Sequence, residues 1–258
     1  MKQALLFALL FLAGPLQAAD ESTVVARIFD KQVTAGEIGL RFDSEGAPVL
    51  PDHEATCVVK HPVAELQSAI LREIQAHYIR IHNLTATDDE VLEMKTFQDK
   101  FMAQDRIRRQ RDLEKVEAQL AENHLPAPER EKLESRLATL QSLAGHEKNR
   151  ENMPELTPEM NRMIHAPWIE AWKYHQAIYE EFGGVVSGTK FGPDPVGAKQ
   201  ALARQLEETG ELAITNQTLK EAFWKSLAAP PRFAVEKDAV DFTPFWRQPA
   251  PDDEMESN

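Results

Sequence analysis

Ser187-Gly188-Thr189-Lys190 has the spacing of the serine–lysine pair of penicillin-binding enzymes, in which the serine is the nucleophile. That chemistry needs the serine at a helix start and two further elements resembling Ser-Asp-Asn and Lys-Thr-Gly. Neither follows here, and Val185-Val186 places Ser187 on a strand. The same residues nearly spell a phosphate loop, Gly183 to Lys190, but threonine and lysine stand in the wrong order. The segment also follows a helix and enters a proline turn, whereas a phosphate loop joins a strand to a helix. The eight histidines form no ligand set: His77 and His82 are five apart, on different sides of a helix, and His-Glu-x-x-His is absent. His175 is the sharpest catalytic candidate, as the one titratable group on an aromatic face, although a histidine there more often packs and hydrogen-bonds. Cys57, the single cysteine, has no disulfide partner within the chain and reads as a small buried side chain. These residues assign no catalytic group and no metal site, and they imply no cofactor.

The aromatic face itself is the strongest binding signal. Trp168, Trp172, His175, Tyr179 and Phe182 recur at spacings of four, three, four and three, which puts them on one side of a helix. Glu170, Lys173, Gln176 and Glu180 take another side. Such a stripe is either the core of the C-terminal part or the lining of a cleft for apolar peptide segments. On the second reading, Trp168, Trp172, Tyr179 and Phe182 are the candidate substrate-binding residues. Arg106, Arg108, Arg109 and Arg111 form a local basic cluster with acids before and after it, which reads as a solvated helix face.

The elements that must position these residues read as mostly α with a small β component. Thr23 to Phe29 is strand-like, Asp30-Lys31-Gln32 a turn, and Thr34-Ala35-Gly36-Glu37 a capping box that predicts the first helix. Residues 41–62 read as a loop with a short strand at Thr56 to Lys60. Leu66, Ile70, Ile74 and Ile81 predict a helix from Val63 to His82, interrupted at Asn83-Leu84. A second capping box, Thr87-Asp88-Asp89-Glu90, opens a polar helix to about Glu122, roughly 50 Å at the helical rise. After a turn with Pro126, Leu133, Leu137, Leu140 and Leu143 face back onto Leu113, Val116 and Leu120, giving a helical hairpin over 88–146 that projects from the body. A Pro-, Met- and Asn-rich linker (147–166) leads to the aromatic helix, which Gly183-Gly184 ends. A short strand from Val185, a helix stopped by Gly210, a strand at "ELAI" and a last amphipathic helix with Phe223 and Trp224 complete a C-terminal α/β segment.

The domain expectation is thus a leader at 1–18, a helical region at 19–165, an aromatic helix with a small α/β segment at 166–228, and a Pro- and acid-rich tail at 229–258 whose last dozen residues are disordered. Lys2, the apolar run Ala4 to Ala13, Pro15 and the small residues at 18 and 19 describe a cleavable signal peptide, cut after Ala18 or, as second choice, Ala19. Export of this kind places the protein in a bacterial periplasm. Its loss leaves 28 basic against 42 acidic residues, a charge of −14 that argues against nucleic acid and anionic lipid as partners. No segment after the leader is long and apolar enough for stable membrane insertion.

"VVARIFDKQVTAGEIG" followed by "AILREIQAHYIRIHNLTATDDEVLEMKTF" resembles the N-terminal domain of SurA-type periplasmic chaperones and their parvulin-linked relatives. The likeness lies in a strand and turn, then "VTAGEI" starting a helix, a helix broken near "NLTAT", and a next helix opened by acids, over a quarter to a third of the chain. It implies a helical cradle for unfolded or exported polypeptides. It does not carry over catalysis: of a parvulin domain, "FGGVVSGTKFG" shares only the glycine pair. The expectation is a chaperone-like polypeptide binder that uses apolar surfaces. The alternatives are a degenerate peptidyl-prolyl isomerase, and an adaptor docking a partner through the hairpin. Neither the client nor the oligomeric state follows from these residues.

Overall fold

Strand β1 (Val24–Ile28) buries Val25 and Ala26 in succession, which a flat strand would send to opposite faces. A bulge between Val24 and Ala26 in its pairing with β2 (Lys31–Thr34) turns both inward. The structure is a computed structural model and describes residues 21–50, 61–122, 124–151, 155–189 and 192–248. The described residues are mostly helical, with six α-helices and eight short strands. None of these helices is long and apolar enough to cross a membrane. The chain divides into two compact units. One holds the chain up to Ala76 with Lys199–Pro230, the other His77–Ala198 with the chain from Pro231.

In the first unit, β1 is the centre of an antiparallel sheet ordered β2-β1-β7, with β7 at Leu212–Ile214. Two-residue strands β3 (Arg41–Phe42) and β4 (Pro48–Val49) pair beside it in sequence. Helix α1 (Pro62–Ile81) buries Val63, Leu66, Ile70 and Ile74, one helical face, and Lys31 Nζ reaches Glu73 at 2.8 Å. Helix α5 (Val196–Glu208) supplies Leu202, Ala203 and Leu206 to this core. Helix α6 (Gln217–Leu227) is capped by Asn216, which accepts from the Leu219 amide at 3.0 Å, and buries Leu219, Phe223 and Trp224. Arg204 lies 3.5 Å over the Trp224 ring.

In the second unit, Asn83 takes a left-handed φ of 54° after α1, and the Thr87 capping box opens α2 (Asp88–Leu120). Helix α3 (Ala127–Glu151) returns along α2: Val116 and Leu140 are buried, and Arg136 pairs with Asp112 at 2.9 Å. Near its start, α2 instead places Val91 and Met94 in a core with Ala166, Ile169 and Trp172 of α4 (Pro158–Phe182). A second sheet, ordered β6-β5-β8, is built from β5 (Val186–Thr189), β6 (Gly192–Asp194) and β8 (Ala234–Val235). Two three-residue 3-10 turns follow, and the second, Phe245–Arg247, carries the buried Trp246.

Several expectations are corrected. No helix starts at Thr34. Its capping hydrogen bonds form, but the Ala35 and Gly36 amides donate to Thr23 and Glu21 carbonyls at 2.9 Å, which extends the strand pairing, and Gly39 turns the chain at φ +64°. The 147–166 linker is largely helix, since α3 runs to Glu151 and α4 starts at Pro158 behind the Thr157 cap. The 165/166 boundary therefore falls inside α4, and the 19–165 and 166–228 regions interleave across both units. The 229–258 tail is structured as far as Gln248 because its aromatic residues pack on α2 and α4. The leader, the 56–60 strand, Cys57 and the last ten residues lie outside the described residues.

Gly192 fixes how α4 meets β6. It has φ +109°, and a Cβ there would overlap the Trp172 ring. Gly192→Ala adds strain in the left-handed region to overpacking, so a loss of about 2–5 kcal/mol is expected in denaturant unfolding.

Candidate functional site

Helix α4 is apolar on two sides. In its first half the buried line is His165, Ala166, Ile169 and Trp172; further along, Tyr174 and Ile178 are buried on the other side of the helix. Across the helix, Met160 (47% exposed), Met163 (77%), Ile164 (43%) and Trp168 (49%) face out. With Pro167 they span an arc of about 140° at 100° per residue. Pro167 has no amide to donate, so the helix lacks one rung in the middle of this stripe. A helix that hides one apolar face normally turns charge to the other; this one does not.

The predicted aromatic face is split between these environments. Trp168 is exposed and Trp172 is core, 6% accessible, so Trp172 is not an open contact residue. Tyr179 is half-buried, with its ring 5.2 Å from Phe242, and Phe182 is half-buried at the helix end. His175 is half-buried beside Tyr174. The buried histidine is His165, whose burial pushes its pKa down; the Asp99 charge opposes this and the Lys95 charge adds to it. Of the exposed stripe, Met160, Met163 and Ile164 escaped the sequence reading because 147–166 was assigned to a linker. The i, i+4, i+8 spacing of Met160, Ile164 and Trp168, with Met163 three after Met160, is the signal the sequence carries.

Trp172 is covered by residues of the Pro- and acid-rich tail, to which the sequence assigned no packing role. Its Nε1 donates to the Phe242 carbonyl at 3.0 Å, and Phe245 and Trp246 stand edge-on to its ring at 5.6 and 5.7 Å. Phe245 also meets Phe97 of α2 edge-on at 5.6 Å. Two clefts flank Trp246. One, of about 490 Å³, lies over Trp172 and Phe242 with Glu90 and Lys173 in its wall; the other, of about 850 Å³, runs along α2 past Leu92, Phe97 and Lys100. Arg247 borders both and pairs with Glu93 at 2.7 Å.

Two charged groups in the wall of the first cleft, Glu90 and Lys173, bind each other. Lys173 Nζ contacts Glu90 Oε2 at 2.6 Å and the Thr85 carbonyl at 2.9 Å, while the Thr87 amide donates to Glu90 at 2.8 Å. Burial opposes the Glu90 charge, yet the bonds from Lys173 and Thr87 hold its carboxyl below the ordinary value. Glu90 and Lys173 are thus held by each other and by the Thr85–Thr87 main chain beside the aromatic surface. Elsewhere, Ser187 lies on β5, paired with Asp194 and Ala234, and its would-be lysine partner at 190 is outside the described residues. Gly183 ends α4 with φ +63°, away from any helix start. Arg109 pairs with Asp105 at 2.9 Å on α2. Among the described residues no group of three His, Cys, Asp or Glu side chains could hold a metal ion.

Searched against protein-family models, curated proteins and solved structures, the chain matches none.

Acid should loosen this unit in two steps. His165 has a depressed pKa when folded, so its contribution is full above about 6.5 and is lost as the pH falls below that value. Glu90 is also depressed, so its contribution persists above about 4.5 and is lost below. In urea unfolding across pH, His165→Gln should flatten the first step alone. Lys173→Met should cost about 1–3 kcal/mol at neutral pH, by leaving the half-buried Glu90 without its cation, and should shrink the second step.

Proposed function

We propose that the protein is a chaperone-like binder of unfolded or exported polypeptides, acting in the periplasm through apolar surfaces. The observation that carries this reading is the exposed stripe Met160, Met163, Ile164 and Trp168 on a helix whose opposite face is already buried. Methionine is unbranched and polarizable, so such a surface can repack around different side chains, and tryptophan adds a large amphipathic contact. The resemblance of the "AILREIQAHYIRIHNLTATDDEVLEMKTF" stretch to SurA-type N-terminal domains supports the same reading. So does the charge of −14 after the leader, which favours basic and apolar segments over nucleic acid.

The stripe is the contact surface in this proposal, with Trp168 retained from the four aromatic candidates. Trp172 shapes it from the inside by fixing the helix. Tyr179 and Phe182 lie further along α4, the former against the C-terminal segment. In this proposal binding uses neither a catalytic residue nor a cofactor.

Light scattering from an aggregating outer-membrane protein tests the proposal. Wild-type chain at stoichiometric ratio should suppress the signal. Met163→Asp with Ile164→Asp should weaken suppression by roughly five- to thirtyfold in required concentration, equivalent to one or two kcal/mol of anchor. Stability should stay within about 0.5 kcal/mol, because both side chains are exposed. Absence of suppression by the wild type would sink the reading. In a proline-limited refolding assay, a binder slows or leaves unchanged the slow phase, and acceleration would favour an isomerase.

A further inference from the structure

Residues 242–248, Phe-Thr-Pro-Phe-Trp-Arg-Gln, lie against α2 and α4 in the manner of a bound peptide. The deepest polar contact is to main chain: Trp172 Nε1 donates to the Phe242 carbonyl, an acceptor that any extended chain offers. The side-chain contacts are aromatic, Phe242 on Tyr179, Phe245 on Phe97 and Trp172, and Trp246 on Trp172. The last contact is ionic, Arg247 to Glu93, on a stretch of α2 that also carries Asp89 and Glu90.

Three features distinguish this fit from a finished core. Trp246 is buried, but its indole N–H has no hydrogen-bond partner among the described residues, so the docked state leaves a donor unsatisfied. Clefts of about 490 and 850 Å³ remain open on either side of it. Upstream, residues 231–241 are exposed or half-buried, and β8 is held to β5 through two residue pairs and a hydrogen bond that the Gly188 amide donates to the Phe233 carbonyl.

We propose that the groove between α2 and α4 is a polypeptide-binding groove, that segment 242–248 is its built-in competitor, and that an extended partner segment with closely spaced aromatic residues followed by a basic one displaces it. The inference rests on the reading of the protein as a polypeptide binder. The partner's chemistry is that of the present occupant: aromatic rings for Phe97 and Trp172, a carbonyl for the Trp172 indole, and a cation for Glu93 and its acidic neighbours. A tethered occupant competes at a high local concentration, and the apparent affinity for a free segment falls by the fraction of groove left open. Weakening the occupant must therefore strengthen binding in trans. This sign is the reverse of what loss of a contact residue gives.

The test uses the full chain and a fluorescein-labelled peptide, VDFTPFWRQ, with a control in which Phe, Phe and Trp are alanine. By fluorescence anisotropy, Phe245→Ala with Arg247→Glu should bind the labelled peptide at least tenfold more tightly than wild type does, and neither chain should bind the control. Equal affinity of the two chains, or binding of the control as strong as that of the peptide, would overturn the proposal. Should the double variant lose its cooperative melt, Arg247→Glu alone reads the same sign at an exposed ion pair, with about a threefold gain expected and none overturning it. The outcomes separate from those above. A groove that binds the peptide in a chain that suppresses no aggregation keeps this inference and removes the holdase reading. A chain that suppresses aggregation without a gain in peptide binding does the reverse.

Discussion

The second unit depends on the burial of one indole. Trp172 sits on α4 with Gly192 behind it, where no side chain fits, and Phe242, Phe245 and Trp246 in front. Its single N–H is used for the Phe242 carbonyl. A tryptophan buries so much area that its surroundings must be built around it, and its donor must find an acceptor. Both demands are met here by remote parts of the chain, a strand ten residues beyond α4 and a segment near the C-terminus. Helix, sheet and tail are thereby fixed to one another through a single side chain.

That dependence explains which parts of the fold could be read from sequence. Helix α1 was legible because Leu66, Ile70 and Ile74 repeat at helical spacing and all are buried. The seam between α2 and α3 was legible for the same reason, through Val116 and Leu140. The C-terminal segment was not. The prolines and acids of the last dozen residues describe a chain that cannot bury enough apolar surface to order itself, and the aromatic residues just before them form a run too short to establish a helical or strand period. Three aromatic residues within Phe242–Trp246 are sufficient when a preformed groove awaits them, and the groove lies some 70 residues away in sequence, where no local pattern records it. Of the exposed stripe on α4, Trp168 was legible from its aromatic spacing, while Met160, Met163 and Ile164 were hidden by the proline and asparagine around them.

The two capping boxes make a sharper comparison. Thr34 with Glu37 and Thr87 with Glu90 share the pattern Thr-x-x-Glu, and both make the reciprocal bonds, at 2.8 and 3.4 Å in the first and 2.8 and 3.3 Å in the second. Only the second continues into a helix. Behind Thr87 stand Asp88, Asp89 and Val91, with acids in the first turn where the helix dipole favours them, and Val91 buried on α4. Behind Thr34 stand Ala35, Gly36 and Gly39, and the sheet claims the amides at 35 and 36. A cap satisfies the first amides of a helix, but nucleation is costly and needs propagation or tertiary packing to repay it. The same four-residue signal therefore marks a helix in one place and a single turn in the other.

The two apolar sides of α4 do different things for a physical reason. The buried side is closed by partners from α2 and the C-terminal segment, and its contacts stabilise the fold. The exposed side has a proline at its centre and methionines around it. Proline removes a rung of the helix ladder there, and methionine gives flexible side chains that specify no single packing arrangement. If this side were destined for a fixed intramolecular partner, branched residues such as leucine and isoleucine would hold it in one geometry more firmly. Ile164 is the lone branched member. The composition of the stripe thus fits a surface that meets varied partners, while the line opposite it is filled by α2 and the C-terminal segment, with its tryptophan packed between a glycine and three aromatic rings.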